Sequence, residues 1–444
     1  MNPRSRLAGY LLLSCPPAVA ASAQDLFSIT AVGDGVNVVT ATGSDVLDLA
    51  ESAIETFGAF GSLSGQTVES TLDYAGVPDV AVITVNAAGT AATLEFPIIG
   101  FSTAFVGFDA DDLADQIEDF IEEDGNDVYA DVLEAIRAES VAAVLDGNPF
   151  ATTAILARHT FGLYGTGSLG PSWSRPGRST TTPDEAGLTY VNSGGAYDDG
   201  PFIDPLAPPE PTRLWFEVNP RAGAIQADIF DGFTTGVDVA GGFFFNETIG
   251  VAAGTSFQFV ELEGTDVFHS VGHVAVPIRV VPETLDEAGN SFALQFTPFV
   301  TSGVGGSLDA AAGGAFFGVG GATNVRVGLG GRAAVDWGSQ IVYFEGEDLF
   351  LDDFEFETEL SQTLVTTGVL GTVFLDDNGR LFIDGGATYS VFLENAGVDE
   401  WVAPEAGLGW RTGRASRIRL SWQGIYGTGD YEAHLGRASF VYAF

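Results

Sequence analysis

The chain has 444 residues and a one-sided charge: 60 aspartates and glutamates against 17 basic residues, all arginine, which gives a formal net charge of −43 at pH 7. Such a surface repels nucleic-acid phosphates, so nucleic-acid binding is excluded. The hydrophobic fraction is 45%. Even so, no uninterrupted apolar run of about twenty residues follows the N-terminal segment, which excludes a helical membrane protein.

The first residues predict an export signal. Arg4 and Arg6 supply a positive start, residues 7–13 supply a short apolar stretch, and Ala21-Ser-Ala23 is a small-residue cleavage site. We therefore predict a signal peptide at residues 1–23, cleaved after Ala23. A lipoprotein signal around Cys15 is the alternative. Cleavage at Ala23 leaves a mature chain without cysteine, which core packing or barrel closure would have to stabilise in place of disulfides.

Residues 24–160 predict a small acidic α+β domain. Residues 80–85 and 92–96 have strand patterns, and residues 45–57 have helical spacing. Asp109 stands in the N-cap position of a helix whose apolar stripe is Leu113, Ile117 and Phe120, and residues 128–145 predict another helix. The segment is long enough to build a core of its own.

Residues 161–212 are rich in Gly, Ser, Thr and Pro, with five prolines between Pro201 and Pro211, and predict an extended linker. From residue 213 to residue 444, alternating strands separated by turn signals predict an antiparallel β-barrel of about twelve strands. Many of these strands reach the nine to eleven residues that cross a bilayer at a tilt. A soluble β-sandwich is the alternative.

Aromatic residues near the strand ends predict a girdle at each membrane interface, where an apolar ring with a polar edge is favoured. They are Trp215, Phe216, Phe243 to Phe245, Tyr343, Phe344, Trp401, Trp410, Trp422, Tyr426 and Tyr442.

The chain stops on an aromatic-alternating strand. Phe440, Tyr442 and Phe444 share one face, and Arg437 and Ser439 lie on the other. This end resembles the terminal strand of Gram-negative outer-membrane β-barrel proteins. The resemblance implies an antiparallel transmembrane β-barrel preceded by the α+β domain, surrounded by outer-membrane lipid. It also implies that Phe440, Tyr442 and Phe444 form the assembly signal that the barrel-insertion machinery reads. An ordinary edge strand is the alternative.

A weaker resemblance, to autotransporter barrel domains, covers residues 213–444 and rests on the strand count and the final Phe. The β-solenoid repeats usual in autotransporter passengers, and a helix before the first barrel strand, are not recognisable in the sequence.

Two charged patterns are candidates for the barrel lumen. Glu355, Glu357 and Glu359 alternate with phenylalanines in a predicted strand, and Arg417 and Arg419 share one face of another. Because charge on a lipid-facing strand position is costly, all five are predicted to face the lumen. Opposed acidic and basic ladders would set the selectivity of a wide pore. In a plugged interior the same charges would neutralise one another.

Catalytic and metal-binding patterns are missing from the sequence. His269 and His273 are four apart on a predicted strand, hence about 13 Å apart and too distant to chelate one metal. Two calcium-like acidic loops have phenylalanines, Phe120 and Phe374, in the first ligand position. There is no Gly-x-Ser-x-Gly elbow, and without lysine there is no Walker loop. We predict no catalytic residue, no metal and no cofactor.

The sequence thus leaves several functions open. The first is a passive, porin-like channel with an accessory domain, and the second is surface display of residues 24–160 in the manner of an autotransporter. A structural or adhesive surface protein is the third, and an enzyme is the least favoured. A monomer is expected, because trimeric porins usually have more strands. The acidity is interpreted as adaptation to a saline habitat, with a cation-attracting surface or pore as the alternative.

Overall fold

The structure is a computed structural model. It describes residues 27–120 apart from 36, 44–64 and 75; residues 128, 131, 132, 135 and 136; and residues 214–443 apart from 228–229, 246–247, 286–289, 308–311, 330–332, 348, 352–353, 357–360, 376–380, 394–397, 399, 412–415 and 429–430. The predicted signal peptide, the predicted helix at 45–57, most of the helix at 128–145, the linker at 161–212 and Phe444 lie outside the described residues.

The N-terminal part is a six-stranded antiparallel sheet in the order β2-β1-β3-β4-β5-β6. Its strands are β1 (Phe27–Gly33), β2 (Asn37–Gly43), β3 (Val68–Tyr74), β4 (Val77–Val85), β5 (Ala91–Phe96) and β6 (Phe101–Val106). Asp34 and Gly35 both have positive φ where β1 turns into β2, a conformation that Asp tolerates and Gly favours. The predicted strands at 80–85 and 92–96 are confirmed.

Helix α1 (Ala110–Asp119) follows β6 and covers the sheet. The side chain of Asp109 accepts a hydrogen bond from the backbone N–H of Asp112, 3.0 Å away, and the Asp112 carboxylate accepts one from the backbone N–H of Phe108. The first bond satisfies an N–H group that the first helical turn leaves without a partner, and the second holds the residue before the N-cap against the helix. Leu113 is buried, and Phe120 stacks on Phe101. The predicted N-cap and apolar stripe are therefore confirmed.

The C-terminal part is a closed antiparallel barrel, and the predicted fold class is confirmed. The strands are β7 (Leu214–Ala227), β8 (Phe230–Phe244), β9 (Gly250–Leu262), β10 (Thr265–Ala275), β11 (Ile278–Leu285), β12 (Ser291–Ser307), β13 (Ala312–Leu329), β14 (Ala333–Glu347), β15 (Leu349–Leu351), β16 (Phe354–Phe356), β17 (Ser361–Phe374), β18 (Leu381–Phe392), β19 (Glu400–Arg411), β20 (Ser416–Gly427) and β21 (Tyr431–Ala443).

Each wall strand pairs with its neighbours, and β21 pairs with β7 to close the ring. β10 and β11 both pair with β12 and occupy one position in the wall, so the described residues form a 12-strand barrel. β15 and β16 pair only with each other, as a separate two-stranded sheet. Closure leaves the wall without an open edge that a second chain could pair with.

The barrel has two ends. At the terminal mouth, β7 begins at Leu214 and β21 ends at Ala443. At the distal mouth, β9 turns into β10 through Glu263 and Gly264, whose φ angles of 48° and 88° are those of a two-residue hairpin turn. Both ends of the barrel segment therefore lie at the terminal mouth.

The small sheet packs against the barrel at the distal mouth. A Cβ atom placed on Gly76, between β3 and β4, would lie 3.1 Å from the ring of Phe230, the first residue of β8. The buried apolar residues of the small sheet and those inside the distal part of the barrel form one continuous cluster. Among the barrel residues of this cluster, those towards the distal mouth form what we call the distal collar: Ile225, Phe230, Val260, Leu262, Val267, Phe316, Val342, Phe344, Leu364, Phe392, Trp401, Ile425, Tyr431, Ala433 and Leu435.

Candidate functional site: the barrel interior

The barrel wall is apolar on the outside. Side chains alternate between the two faces of each strand, and the outward face carries large apolar residues with much of their surface accessible, such as Ile341 at 53% and Leu420 at 59%. Their inward neighbours along the same strands are the polar residues Gln340 and Arg419, which are buried. A soluble protein rarely exposes so wide an apolar surface. Among the described residues, no helix has the length and apolar character needed to cross a bilayer.

The predicted aromatic girdles are wrong for four residues. Trp215, Phe244, Phe344 and Trp401 are buried inside the barrel. Because consecutive strand residues point to opposite faces, a cluster of adjacent aromatics always divides between the wall's two sides. Phe216, Phe243, Phe245, Tyr343, Trp410, Trp422 and Tyr426 do face outward.

The last strand has the two faces that its sequence pattern predicts. Phe440 points outward, with 41% of its surface accessible, and Tyr442 is half-buried. Arg437 and Ser439 are buried on the inward face. The role of Phe440, Tyr442 and Phe444 as an assembly signal stays a prediction.

The inside of the wall carries a belt of charges between the distal collar and the terminal mouth. We call it the charged belt. Its arginines are Arg221, Arg279, Arg326, Arg417, Arg419 and Arg437, and its carboxylates are Glu217, Asp238, Asp336, Asp384 and Glu405. In a low-dielectric interior such groups are stable only when paired and hydrogen-bonded.

Arg419 is the most completely paired of them. Its Nε and Nη2 donate to the two carboxylate oxygens of Asp384 at 2.8 and 2.6 Å. Its Nη1 lies 2.6 Å from an oxygen of Glu405. Asp384 lies on β18, two strands away from Arg419 on β20, so the guanidinium lies along the wall. A bidentate contact of this kind is the strongest pairing that arginine makes with a carboxylate.

Arg221 repeats this arrangement on the neighbouring side of the barrel. Its Nη1 is bonded to Asp238 on β8, and its Nη2 donates to Ser256 and Gln258 on β9, each at 2.9 Å. The side chain lies across Gly236, where an added Cβ would be 3.1 Å from its Nε.

Gly407 provides the same space for Arg419, since a Cβ there would be 2.7 Å from the guanidinium Nε. In both places an inward glycine lets the long side chain lie flat against the wall.

Arg417 and Arg419 both lie on the inward face of β20 and are buried. Of the predicted acidic ladder, Glu355 lies in the short strand β16, which pairs with β15 in a separate sheet, and Glu357 and Glu359 lie outside the described residues. The lumen-facing position of these three acids stays a prediction. The described part of wall strand β17 begins at Ser361, opposite Glu345 of β14.

The carboxylates that do meet the arginines were not singled out from the sequence. Asp384 is the single acid of β18, and Asp238 and Glu405 each share their strand with one other acid, five or more residues away. The sequence could have identified them, because each lies at an inward position of its alternating strand. An isolated charge on an apolar, alternating strand points away from lipid.

The histidines do not form a metal site in the described part of the chain. His269 and His273 are both buried on the inward face of β10. No group of three or more His, Cys, Asp or Glu side chains among the described residues is arranged to hold a metal ion. His434 points outward, 2.6 Å from Glu432 and stacked on Trp422.

No protein-family model and no curated protein matches the chain. Among solved structures, it is similar to the translocator domain of the autotransporter NalP from Neisseria meningitidis, at 14% identity and a TM-score of 0.34, covering 52% of this chain and 88% of that one. It is similar to the transport unit of the autotransporter AIDA-I from Escherichia coli, at 10% identity and a TM-score of 0.37, covering 61% and 99%. It is also similar to an outer-membrane channel from Pseudomonas putida, at 12% identity and a TM-score of 0.37, covering 55% and 100%.

Proposed function

We propose that the chain is an outer-membrane β-barrel protein that acts as a passive, porin-like channel and carries an accessory domain at its distal mouth. The observation that carries this proposal is the inverted polarity of the barrel wall, which is apolar outside and charged inside. A bilayer is the solvent that such an exterior requires, and closed barrels and helices are the only structures that span one. Wall strands of 11 to 18 residues, such as β10 and β13, are long enough to cross it.

The interior supports a channel more than a purely structural barrel. A barrel that only had to be filled would be most stable with apolar side chains inside, because buried ion pairs rarely exceed well-packed apolar residues in stability. Here Arg221 and Arg419 lie along the wall over Gly236 and Gly407 rather than towards the barrel axis. A charged lining held against the wall is what a selective passage needs.

Channel function is tested by conductance of the full chain in planar lipid bilayers, combined with cysteine accessibility. Thr388 lies on the inward face of β18 and is half-buried, and Ser339 faces outward on β14. With the predicted signal peptide removed, no native cysteine interferes. We expect stepwise currents that a water-soluble thiol reagent reduces in Thr388→Cys and leaves unchanged in the control Ser339→Cys. A folded barrel that carries no current would contradict the proposal.

Display of residues 24–160 at the cell surface is a second candidate, and one observation favours it. The small sheet packs at the distal mouth through Gly76 and Phe230, whereas β7 begins at the terminal mouth. The small sheet and the start of the barrel segment therefore lie at opposite ends of the barrel, as display of residues 24–160 across the membrane requires.

Protease shaving of intact cells, with an epitope tag placed just after Gln24, decides between the two sides of the membrane. Display predicts loss of the tag while the barrel survives. Protection of the tag until the outer membrane is breached would contradict display and leave the channel proposal standing.

The same proposal includes the chain's location and partners. It is exported with cleavage after Ala23, inserted by the barrel-insertion machinery through the strand ending at Phe444, surrounded by outer-membrane lipid, and monomeric. It carries out no enzymatic reaction, and no nucleic acid or cofactor is involved. Mass spectrometry of the outer-membrane fraction tests the cleavage site, because the mature N-terminus should be Gln24.

A further inference from the structure

We propose that the middle of the barrel lumen contains a binding site for a small carboxylate anion, formed by Arg437 and Ser439 on β21. As the solute class of a channel, this inference rests on the function proposed above. As a binding site, it stands on the contacts of the charged belt alone.

The first step is the pairing of charges in the belt. Asp238 is bonded to Arg221, and Asp384 and Glu405 are both engaged by Arg419. Asp336 lies 3.8 Å from Arg326. Arg279 lies over the ring of Phe244, 3.9 Å from its centroid. Among the described residues, Arg437 therefore has no ion pair of its own: Asp238 and Glu405 are engaged by Arg221 and Arg419, and the charge of Glu217 acts on both Arg417 and Arg437.

The second step is the hydrogen bonding of Arg437 and Ser439. Arg437 donates from Nη2 to Gln423 at 3.4 Å, which is a long contact. Among the described residues, neither its Nε nor its Nη1 nor the hydroxyl of Ser439 has a hydrogen-bond partner, although Arg437 is 94% buried and Ser439 is 98% buried. Buried donors without an acceptor are costly, and more so when charged. An anion in contact with both side chains would satisfy them.

The third step concerns the position of Arg437 in the barrel and the electrostatic potential around it. Arg437 lies midway along β21 and stands directly opposite Arg221 on β7. Two guanidinium groups on adjacent strands reinforce one another's positive potential, and the low dielectric of the wall strengthens it. A solute crossing the barrel has to pass this level. Guanidinium N–H groups match the oxygens of a carboxylate, and the hydroxyl of Ser439 adds a neutral donor.

The experiment uses the full chain refolded in detergent and acetate as the probe, with binding followed by saturation-transfer NMR. We expect acetate to receive saturation from the wild-type protein and its affinity to fall about tenfold in Arg437→Gln, because a charge-assisted hydrogen bond is lost. Arg437→Lys should restore part of the affinity, and Ser439→Ala should weaken binding by a smaller factor. Arg279→Gln is the matched control, since it removes the same charge from the interior at another place.

The outcomes separate this proposal from the channel proposal. Equal acetate signals in the wild type and in Arg437→Gln would overturn the site, as would an equal loss in Arg279→Gln, which would indicate a general charge effect. Should Arg437→Gln fail to fold by circular dichroism, Ser439→Ala provides the same comparison, and an unchanged affinity there would overturn the site. Binding that persists in a barrel without conductance would refute the channel and leave the site intact.

Discussion

The small sheet and the barrel are built from the same alternation of apolar and polar residues, with opposite results. In the sheet, the alternation puts Phe27, Val80 and Leu94 into an apolar core, and among its described residues Ser70 is the buried polar side chain. In the barrel, it puts apolar residues such as Ile341 outside and charges such as Arg419 inside. Alternation therefore specifies a strand with two unlike faces, but it does not specify which face meets water. The solvent around each part makes that choice.

The two parts also solve the problem of strand edges differently. Among the described strands, the sheet ends at β2 and β6, which are short, whereas the barrel closes by pairing β21 with β7. In a closed barrel, the register of each strand pair depends on all the others. Side-chain contacts also reach beyond the adjacent strand, since Arg419 on β20 donates to Asp384 on β18.

The largest expected effect comes from breaking the charge pairing that distinguishes the barrel interior from the core of the sheet. Arg419→Ala would leave Asp384 and Glu405 buried without their partner, and we expect a loss of about 3–5 kcal/mol in the free energy of unfolding. Urea unfolding in lipid vesicles measures it. The triple variant Arg419→Met, Asp384→Asn, Glu405→Gln removes the charges together and should recover most of the loss. Equal losses in the single and triple variants would contradict the role of pairing.

A smaller effect tests whether lipid surrounds the barrel and water surrounds the small sheet. Ile341 and Val38 are similarly exposed, at 53% and 62%, one on the outer wall of the barrel and one on the small sheet. Ile341→Arg should destabilise the barrel by about 2–4 kcal/mol, because it places a charge in lipid. Val38→Arg should change stability by about 0.5 kcal/mol or less, because it places one in water. Equal costs, measured by unfolding in vesicles, would remove the distinction between the two surfaces.

A third prediction sharpens the account of the inner wall. At Gly407, an added Cβ would lie 2.6 Å from the Asp384 carboxylate and 2.7 Å from Nε of Arg419. We expect Gly407→Ala to cost about 1–3 kcal/mol by overpacking. Gly371 is the control, since its Cβ would meet its nearest neighbour, the backbone oxygen of Gly385, at 3.7 Å. A cost at Gly371 as large as that at Gly407 would indicate that the strands merely disfavour losing a glycine.

The smallest expected effect lies in the N-terminal part and should leave the barrel untouched. Asp109→Ala removes the side chain that accepts from the Asp112 N–H, and we expect a loss of about 1 kcal/mol. Asp109→Asn keeps an acceptor and should lose much less. Hydrogen exchange of the helix amides measures both. Altered exchange in the barrel strands would show that the two parts are more tightly coupled than this account holds.

The sequence predicted features that depend on local pattern. The N-cap at Asp109 follows from residue type and spacing, and so do the opposite faces of Arg437 and Phe440 on the last strand. The strands between turn signals, and their approximate number, follow from the same kind of reading. These features need no knowledge of which strands are neighbours.

The sequence did not predict features that depend on register between strands. Arg419 was singled out, but its partner Asp384 is two strands away, and only the pairing of β18, β19 and β20 brings them together. Glu355 was predicted to face the lumen because it alternates with phenylalanines, but the pairing of β16 with β15 in a separate sheet could not be inferred from that alternation. The distal collar and its contact with the small sheet depend on the closed barrel and could not be inferred from spacing.

The most direct test of the central claim, that the barrel meets lipid on its apolar outer face and encloses its charges, is fluorescence quenching by brominated lipids. Trp337 faces outward with 42% of its surface accessible, and Trp401 is buried on the inward face. In refolded variants that retain only one of these two tryptophans, we expect strong quenching of Trp337 by lipids brominated along their acyl chains and little quenching of Trp401. Equal quenching of both, or quenching of Trp401 alone, would contradict it.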